Sequence, residues 1–182
     1  INIDKLREAI ARMSDQSLRA GAVIERIQRF VRGIAGDRKP VDLNELIRET
    51  VSLVRNDARL HDVEILVELG SALPRVLCDP VEIQQVALNL LRNGLDSMRE
   101  VGNRHGRELV VTTSADGARA RVAVRDAGTG VAESSRDVLF APFHTTKSDG
   151  MGMGLSICTS IVAGHGGTLS FENNADHGAT FY

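Results

Sequence analysis

The first 35 residues carry apolar positions that alternate by three and four, as in a helix that lies against other helices. Large apolar side chains occupy eight of its ten positions, and Ala9, Val23 and Phe30 widen the stripe on one flank, which suits a helical bundle. The pattern ends between Gly36 and Pro40. Such a helix needs partners to bury its stripe; the alternative is a helix that packs on the body of its own chain. The ten positions are Ile3, Leu6, Ile10, Met13, Ser17, Ala20, Ile24, Ile27, Val31 and Ile34.

After Pro40 the pattern changes to helices that alternate with strands. Asp42, with Glu45 three residues on, is typical of a helix N-terminus, and Asp79-Pro80 opens a second helix with proline in its first turn. Because hairpins are present, we expect a mixed sheet with helices on one face. The pattern predicts helices over 42–60, from 80 onward and over 152–163, and strands over 64–68, 75–78, 108–114, 119–126, 168–172 and 179–182.

Composition narrows the class of protein. The 182 residues suffice for one core and one small appended element. A net charge of −2, one Tyr and no Trp argue against a nucleic-acid binder, which needs positive charge and stacking aromatic rings. Cys78 and Cys158 lack the spacing of a zinc site or a disulfide framework, which indicates a reducing, cytoplasmic setting.

The sequence gives no sign of membrane contact. No apolar run approaches the roughly 20 residues that a spanning helix needs, and the charged segment from Ile1 to Arg12 is unlike a signal peptide. The chain begins without Met and stops at Tyr182 within an apolar stretch. We therefore expect it to be part of a longer protein, whose sensor or membrane anchor could lie outside it.

One face of the helix that starts at Pro80 is polar in an unusual way. Its side chains are spaced three and four apart and fall within an arc of about 80°. Two asparagines one turn apart are poor helix formers, but their carboxamide oxygens suit Mg²⁺. The alternative is an ordinary polar face. The stripe consists of Glu82, Gln85, Asn89, Asn93 and Asp96.

A carboxylate ends the strand that contains Val122 and Val124. Asp126 continues the inward register of these apolar residues, and a buried acidic group needs a partner. The exocyclic amine of adenine is a neutral donor that fits such an acceptor, and the Ala-Gly-Thr-Gly turn that follows leaves room for a flat ring. A plain Asp-Ala-Gly turn is the alternative.

Glycines at alternate positions directly precede the helix that begins near residue 152. Gly150, Gly152 and Gly154 let backbone N–H groups converge on an anion at a helix N-terminus. The spacing fits neither a P-loop nor a dinucleotide fingerprint. Upstream, Lys147 could reach a terminal phosphate, and the two phenylalanines of 140–143 could fasten the segment down. A flexible linker and a plain surface loop are the alternatives.

The order of these stretches resembles that of sensor histidine kinases of two-component systems, within the Bergerat-type ATPase superfamily. The match covers roughly 40–182, while 1–37 resembles the second helix of the dimerisation and histidine-phosphotransfer domain, with residues 17–27 similar to the FixL-like subfamily. The superfamily also includes type II topoisomerases, mismatch-repair proteins and a large heat-shock chaperone; the 140–147 stretch and the dimerisation helix favour the kinase branch. The matching boxes are Asn-Leu-Leu-Arg-Asn (89–93), Asp-Ala-Gly-Thr-Gly (126–130), Phe-Ala-Pro-Phe-His-Thr-Thr-Lys (140–147), Gly-Met-Gly-Met-Gly-Leu (150–155) and Gly-Ala-Thr-Phe (178–181).

The resemblance implies an ATP site on a two-layer α/β sandwich with a mixed sheet, preceded by a long dimerisation helix. It assigns Mg²⁺ to Asn93, the phosphates to the neighbourhood of Asn89, and the adenine amine to Asp126, with Thr180 assisting through water. Gly128 and Gly130 would lie beside the ring. The lid over the phosphates would contain Lys147, Gly150, Gly152, Gly154 and Leu155.

The sequence departs from the family pattern at two places. Gly94 stands where family members usually have Ala, at a cost of about 1 kcal/mol in helix stability. The phosphoacceptor box is missing, because His61-Asp62 is followed by Leu66 where proline belongs. The remaining histidines fit no better, and His165 is predicted to be a helix-end residue. We expect the acceptor upstream of Ile1, so that this chain binds ATP without autophosphorylating.

The implied reaction passes the γ-phosphate of ATP to a histidine and then to an aspartate of a response regulator receiver domain. The implied assembly is a homodimer through the N-terminal helix. One alternative is an ATP-hydrolysing conformational switch of the same superfamily, for which Glu82 lies two turns from Asn89. Another is a non-catalytic dimerisation module, against which Asp126 and Asn93 speak.

Overall fold

A computed structural model describes residues 37–101, 107–117, 119–145 and 152–182. The chain divides into two units, Ile1–Asp37 and Arg38–Tyr182, and the description below concerns the second. The predicted dimerisation helix over 1–37 lies outside the described residues and stays a prediction.

The described part contains seven strands, three α-helices and one short 3₁₀ helix, Glu133–Val138. Helices alternate with strands through the first half, and a hairpin and short strands fill the second. The strands are β1 (Lys39–Val41), β2 (Glu64–Leu69), β3 (Val76–Cys78), β4 (Glu108–Asp116), β5 (Arg119–Arg125), β6 (Phe171–Asn173) and β7 (Ala179–Phe181). The helices are α1 (Leu43–Leu60), α2 (Pro80–Val101) and α3 (Gly154–Gly164).

Five strands form one mixed sheet in the order β2-β4-β5-β7-β6. The β2–β4 pair is parallel, and the β4–β5, β5–β7 and β6–β7 pairs are antiparallel. Strands β1 and β3 form a separate antiparallel ribbon. The expected two-layer α/β sandwich with a mixed sheet is confirmed. Among the described residues, no helix is long and apolar enough to span a bilayer.

Helix α2 is the centre of the helical layer, because it contacts both other helices and also strands β4 and β5. Its apolar side is almost completely buried, with Leu91, Leu95 and Met98 each 1% exposed. These residues pack on Leu109 and Val111 of β4 within one core cluster. The polar stripe predicted on the opposite side of α2 is thereby turned away from the core.

Aspartates begin both long helices, as their sequences predict. The Asp42 carboxylate accepts hydrogen bonds from the backbone N–H groups of Asn44 and Glu45. Asp79 accepts in the same way from Val81 and Glu82. Each cap satisfies two N–H groups that have no partner within the helix.

Gly94 lets α2 approach the sheet closely. A Cβ atom at this position would lie 2.5 Å from Cδ1 of Leu109 and 3.4 Å from Cβ of Asp126. Leu109 is fully buried and fills the space that the usual alanine would take. The loss of helix propensity at Gly94 is therefore accompanied by a gain in packing.

Two elements were not predicted, and some boundaries differ from those predicted, including that of β6, which begins at Phe171 rather than at residue 168. Strand β1 escapes detection because Pro40 interrupts a very short edge strand, and the 3₁₀ helix lies in a stretch predicted to be irregular. Helix α3 begins at Gly154 rather than near residue 152. The reason is that Gly152 has a φ of +64°, which is incompatible with a right-handed helix.

Candidate nucleotide-binding site

Asp126 lies directly after β5 and is only 4% exposed. Its Oδ1 atom accepts hydrogen bonds from the Ser97 hydroxyl at 2.9 Å, from the Gly128 N–H at 2.9 Å and from the Ala179 N–H at 3.4 Å. Burial raises the pKa of the Asp126 carboxyl, and these three donors partly counter it. The three donors thus offset part, but not all, of the cost of removing this carboxylate from water.

The second oxygen of Asp126 behaves differently from the first. Oδ2 accepts no hydrogen bond from the part of the chain that the structure describes, yet it is not fully enclosed either. A charged acceptor in so buried a position is costly without a donor. Oδ2 is therefore suited to a neutral N–H group of a ligand.

Glycines pack the turn after Asp126 against its neighbours. A Cβ atom at Gly128 would lie 2.2 Å from the Ser97 hydroxyl oxygen and 2.8 Å from the Ser97 carbonyl carbon. Gly178 has a φ of +80°, and a Cβ there would lie 2.1 Å from the Asp126 carbonyl oxygen. Gly130, with a φ of +70°, approaches Gly178 and Asn173. The glycines hold Asp126 in place by close backbone contact.

A small network of polar groups supports the far side of this turn. The Thr180 hydroxyl donates to Oδ1 of Asn174 at 2.6 Å. The Asn174 amide nitrogen donates to the carbonyl oxygens of Asp126 and His177, both at 2.9 Å. These hydrogen bonds join Thr180 to Asp126 through Asn174. Thr180, a predicted site residue, is 8% exposed.

The asparagines of α2 lie on the side of the helix that leads to Asp126. Ser97, which bonds Asp126, follows Asn93 by one turn, so the two side chains differ by only about 40° around the axis. The side chain of the half-buried Asn89 makes no hydrogen bond to any described residue. By helix periodicity, Asn89 lies within about 80° of Ser97, so both asparagines are expected on the side of α2 that faces Asp126.

The side chains on this face can be compared with the ligands that the expected Mg²⁺ ion needs. Among the described residues, no group of three or more His, Cys, Asp or Glu side chains could hold a metal ion. Mg²⁺ keeps several waters and takes its other ligands from one or two side chains and from substrate phosphates. A single amide oxygen from Asn93 fits an ion that arrives with a nucleotide.

The segment 140–144 packs against the start of α3. A Cβ atom at Gly152 would lie 2.5 Å from the Phe143 carbonyl carbon and 2.7 Å from the His144 backbone. Phe140 makes an edge-to-face contact with Phe171, with ring centroids 5.9 Å apart. Phe143 is 77% exposed, so the expectation that both phenylalanines fasten this segment is wrong for Phe143.

The first turn of α3 is open. A Cβ atom at Gly154 would have no described residue within 4 Å apart from its own helix and chain neighbours, while Leu155 packs on the core. The N-terminus of this helix can thus receive an anion. Lys147 and Gly150 lie outside the described residues, and their predicted roles stay predictions.

His165 ends α3, as its position before two glycines predicts. Its Nδ1 atom bonds the Ile161 carbonyl oxygen at 2.8 Å, and its Nε2 atom accepts from the Asp79 N–H at 3.1 Å. Glu82 lies 3.9 Å from the same Nε2 atom. Glu82 lies in the first turn of α2, two turns before Asn89.

Sequence reasoning missed Ser97 and Asn174. Ser97 lies four residues after Asn93 and so continues the polar stripe of α2, which makes its position detectable from the sequence. Asn174 lies in a turn rich in Asn, Asp and Gly, where nothing in the sequence separates it from its neighbours.

A mixed sheet under one helical layer, with a buried carboxylate beside a stripe of amides, defines an ATPase-type nucleotide-binding module. Residues 78–182 match the family model described as histidine kinase-, DNA gyrase B-, and HSP90-like ATPase. The chain belongs to this family, and the predicted resemblance is confirmed.

The relatives are sensor histidine kinases. The C4-dicarboxylate transport sensor protein DctS of Rhodobacter capsulatus is 41% identical over 99% of this chain and 27% of its own length. The sensor protein FixL of Bradyrhizobium diazoefficiens is also 41% identical, over 99% of this chain and 35% of its own length. This chain therefore spans about a quarter to a third of these relatives.

Solved structures give the same family. The catalytic domain of histidine kinase ThkA matches with a TM-score of 0.70 at 32% identity, over 80% of this chain and 92% of that domain. Full-length ShkA in complex with AMPPNP matches with a TM-score of 0.70 at 32% identity, over 81% of this chain and 30% of ShkA. ThkA in complex with the response regulator TrrA matches with a TM-score of 0.72 at 25% identity, over 92% of this chain and 47% of the matched chain.

Proposed function

We propose that this chain is the ATP-binding catalytic module of a sensor histidine kinase. In the complete protein it would transfer the γ-phosphate of ATP to a histidine, for relay to an aspartate of a response regulator. The observation that carries the proposal is Asp126, whose Oδ1 atom accepts three hydrogen bonds while Oδ2 accepts none from the described residues. Family membership and the complex of ShkA with an ATP analogue support it.

Asp126 would recognise the base. Its Oδ2 atom would accept a hydrogen bond from the exocyclic amine of adenine, an interaction that a carbonyl at the same ring position cannot make. Gly128 and Gly130 would lie beside the ring. Thr180, which already donates to Asn174, keeps an oxygen that can accept from a water beside the base.

Asn93 would hold Mg²⁺ and Asn89 would lie near the phosphates. The ion, when bound, neutralises charge on the phosphate oxygens, and the residues of this chain position them. Gly152 and Gly154 at the N-terminus of α3 would lie along the triphosphate, with Lys147 and Gly150 completing the lid. The protein needs no nucleophile of its own at this site, because phosphoryl transfer depends mainly on positioning and charge.

The nucleophile would be a histidine outside this chain. His61 ends α1, where it lies 3.4 Å from Asp57, and His165 caps α3. Neither belongs to a phosphoacceptor box. Residues 1–37 would pair two copies of the protein, the receiver domain of a response regulator would accept the phosphate, and the module would work in the cytoplasm.

Two measurements on this chain test the proposal. Calorimetric titration with AMPPNP in the presence of Mg²⁺ should give a saturable isotherm. Incubation with ATP labelled at the γ-phosphate should leave no label on the chain, and label should appear on a separately supplied phosphoacceptor domain of a related kinase. Absence of any AMPPNP binding would contradict the proposal, and acid-labile label on this chain would contradict the placement of the histidine.

A further inference from the structure

The Ser97 hydroxyl contacts two acceptors with a single proton. Its oxygen lies 3.0 Å from the Gly94 carbonyl oxygen on its own helix and 2.9 Å from Oδ1 of Asp126. A carboxylate is the stronger acceptor, so the proton goes to Asp126 while that group is charged. Ser97 is the one side chain among the described residues that donates to the carboxylate of Asp126; the other two donors to this carboxylate are backbone N–H groups.

We propose that Ser97 is a positioning residue of the adenine site: its hydroxyl holds Oδ1 of Asp126, so that Oδ2 stays charged and turned toward the base. This inference rests on the proposed function, because it assigns a role within the same nucleotide site. Ser97 touches neither ligand nor metal in this scheme and acts through Asp126 alone.

The packing around Ser97 leaves its oxygen little freedom. It lies where a Cβ atom of residue 128 would otherwise project, at a separation of 2.2 Å. The hydroxyl is therefore clamped between α2 and the turn after β5. A donor fixed in this way defines the rotation of the carboxylate, and with it the direction of Oδ2.

Burial raises the pKa of Asp126, and the hydrogen bonds from Gly128, Ser97 and Ala179 lower it again. Removal of the Ser97 donor should therefore raise this pKa further. A protonated Oδ2 would present an O–H group to the adenine amine, which is also a donor, and binding would fail. Nucleotide affinity should thus fall with decreasing pH, and it should fall at higher pH in the variant.

Charged groups on the neighbouring elements do not change this expectation. Asp96 on α2 is paired with an arginine of its own helix. Arg125 of β5 is paired with Asp176, and His177 lies 4.0 Å from that same aspartate. Among the described residues, no charge–charge interaction contributes to the pKa shift of Asp126.

The test is the affinity for ADP, measured by calorimetry as a function of pH for four proteins. These are the wild type, Ser97→Ala, Ser97→Cys and the control Ser52→Ala. Ser52 donates to the Glu49 carbonyl oxygen three residues earlier, as Ser97 can to Gly94, but it lies on the exposed side of α1. Cysteine fills the space of serine but is a weak donor.

At neutral pH, Ser97→Ala should weaken ADP binding about three- to tenfold, the range that one hydrogen bond supports. Its loss of binding in acid should begin at higher pH than in the wild type. Ser97→Cys should resemble Ser97→Ala, and Ser52→Ala should match the wild type. Circular dichroism would establish that all four proteins are folded.

Two outcomes would overturn the inference while the proposed function stands. One is an affinity and a pH profile of Ser97→Ala that equal those of the wild type. The other is a Ser97→Cys protein with the wild-type profile, which would mean that the residue only fills space. Failure of the wild type to bind ADP at all would instead contradict the proposed function.

Discussion

Asp126 and Asn89 are both candidate site residues, yet among the described residues three hydrogen bonds reach the carboxylate of Asp126 and none reaches the side chain of Asn89. Gly128 and Gly154 show the same contrast, since a Cβ atom at Gly128 would overlap Ser97 whereas one at Gly154 would meet no described residue; Gly152, by comparison, is as closely packed as Gly128. We call these regions the base end (Ser97, Asp126, Gly128, Asn174 and Gly178) and the phosphate end (Asn89, Asn93, Gly152 and Gly154).

The contrast has a physical reason. A buried carboxylate is costly unless its hydrogen bonds are made before the ligand arrives, so the base end must be assembled in the folded chain. Phosphates bring their own charge and their own metal ion, so the amides that meet them can remain in contact with water. The two ends should therefore respond differently to the same kind of substitution.

The largest effect on affinity is expected for Asp126→Asn. The amide keeps its oxygen on the three donors and turns its NH₂ group toward the adenine amine. Replacement of a charged hydrogen bond by two opposed donors should weaken ADP binding about 100-fold or more. Calorimetric titration would measure the loss, and affinity within twofold of the wild type would contradict the role of Asp126.

The next largest effect, on the stability of the fold, is expected to differ between Gly→Ala substitutions at the base end and at the phosphate end. Gly128→Ala should destabilise the fold by about 2–4 kcal/mol, because the new Cβ overlaps the backbone of Ser97. Gly154→Ala should leave the stability unchanged or raise it by up to about 1 kcal/mol, because alanine favours the helix and meets no neighbour. Urea unfolding of both variants checks this, and equal losses would remove the proposed difference between the ends.

The third prediction tests whether Asn93 is the ligand of Mg²⁺. Asn93→Ala should weaken binding of AMPPNP about tenfold in the presence of Mg²⁺ and hardly at all when EDTA removes the ion. Asn89→Ala serves as the comparison, because it should weaken binding under both conditions. If the loss in Asn93→Ala is independent of Mg²⁺, Asn93 is not the metal ligand.

The smallest effect concerns stability without nucleotide. Because the pKa of Asp126 is raised in the folded state, the fold binds this proton more tightly than the unfolded chain does. The stability that Asp126 contributes is therefore present at low pH and is lost as the pH rises through the raised pKa. As the pH rises through this range, the Tm of Asp126→Asn should rise relative to that of the wild type. A difference in Tm that does not change with pH would contradict the raised pKa of Asp126.

Much of the fold followed from local patterns. The caps at Asp42 and Asp79, the alternation along β5 and the hairpin turn at Gly117 are encoded within a few residues, and the structure places them as predicted. Strand β1 could not be found in this way. Its three residues become a strand only through pairing with Val76–Cys78, which lies far away in the sequence.

The candidate site likewise contains features that the sequence reveals and features that it does not. The stripe of α2 and the inward register of Asp126 are periodic features, so the sequence reveals them. The bond from Ser97 to Asp126 joins residues 29 positions apart and depends on how closely α2 approaches β5. Phe143 was misjudged because an aromatic residue is expected to be buried, whereas this one is exposed, at a backbone position with a φ of +65°.

The most direct test of the central claim is a comparison of ADP with inosine diphosphate, which carries a carbonyl where adenine has its amine. The wild type should prefer ADP about tenfold or more, and Asp126→Asn, with an NH₂ group turned toward the base, should prefer inosine diphosphate. If both proteins show the same preference between the two nucleotides, Asp126 does not recognise the base.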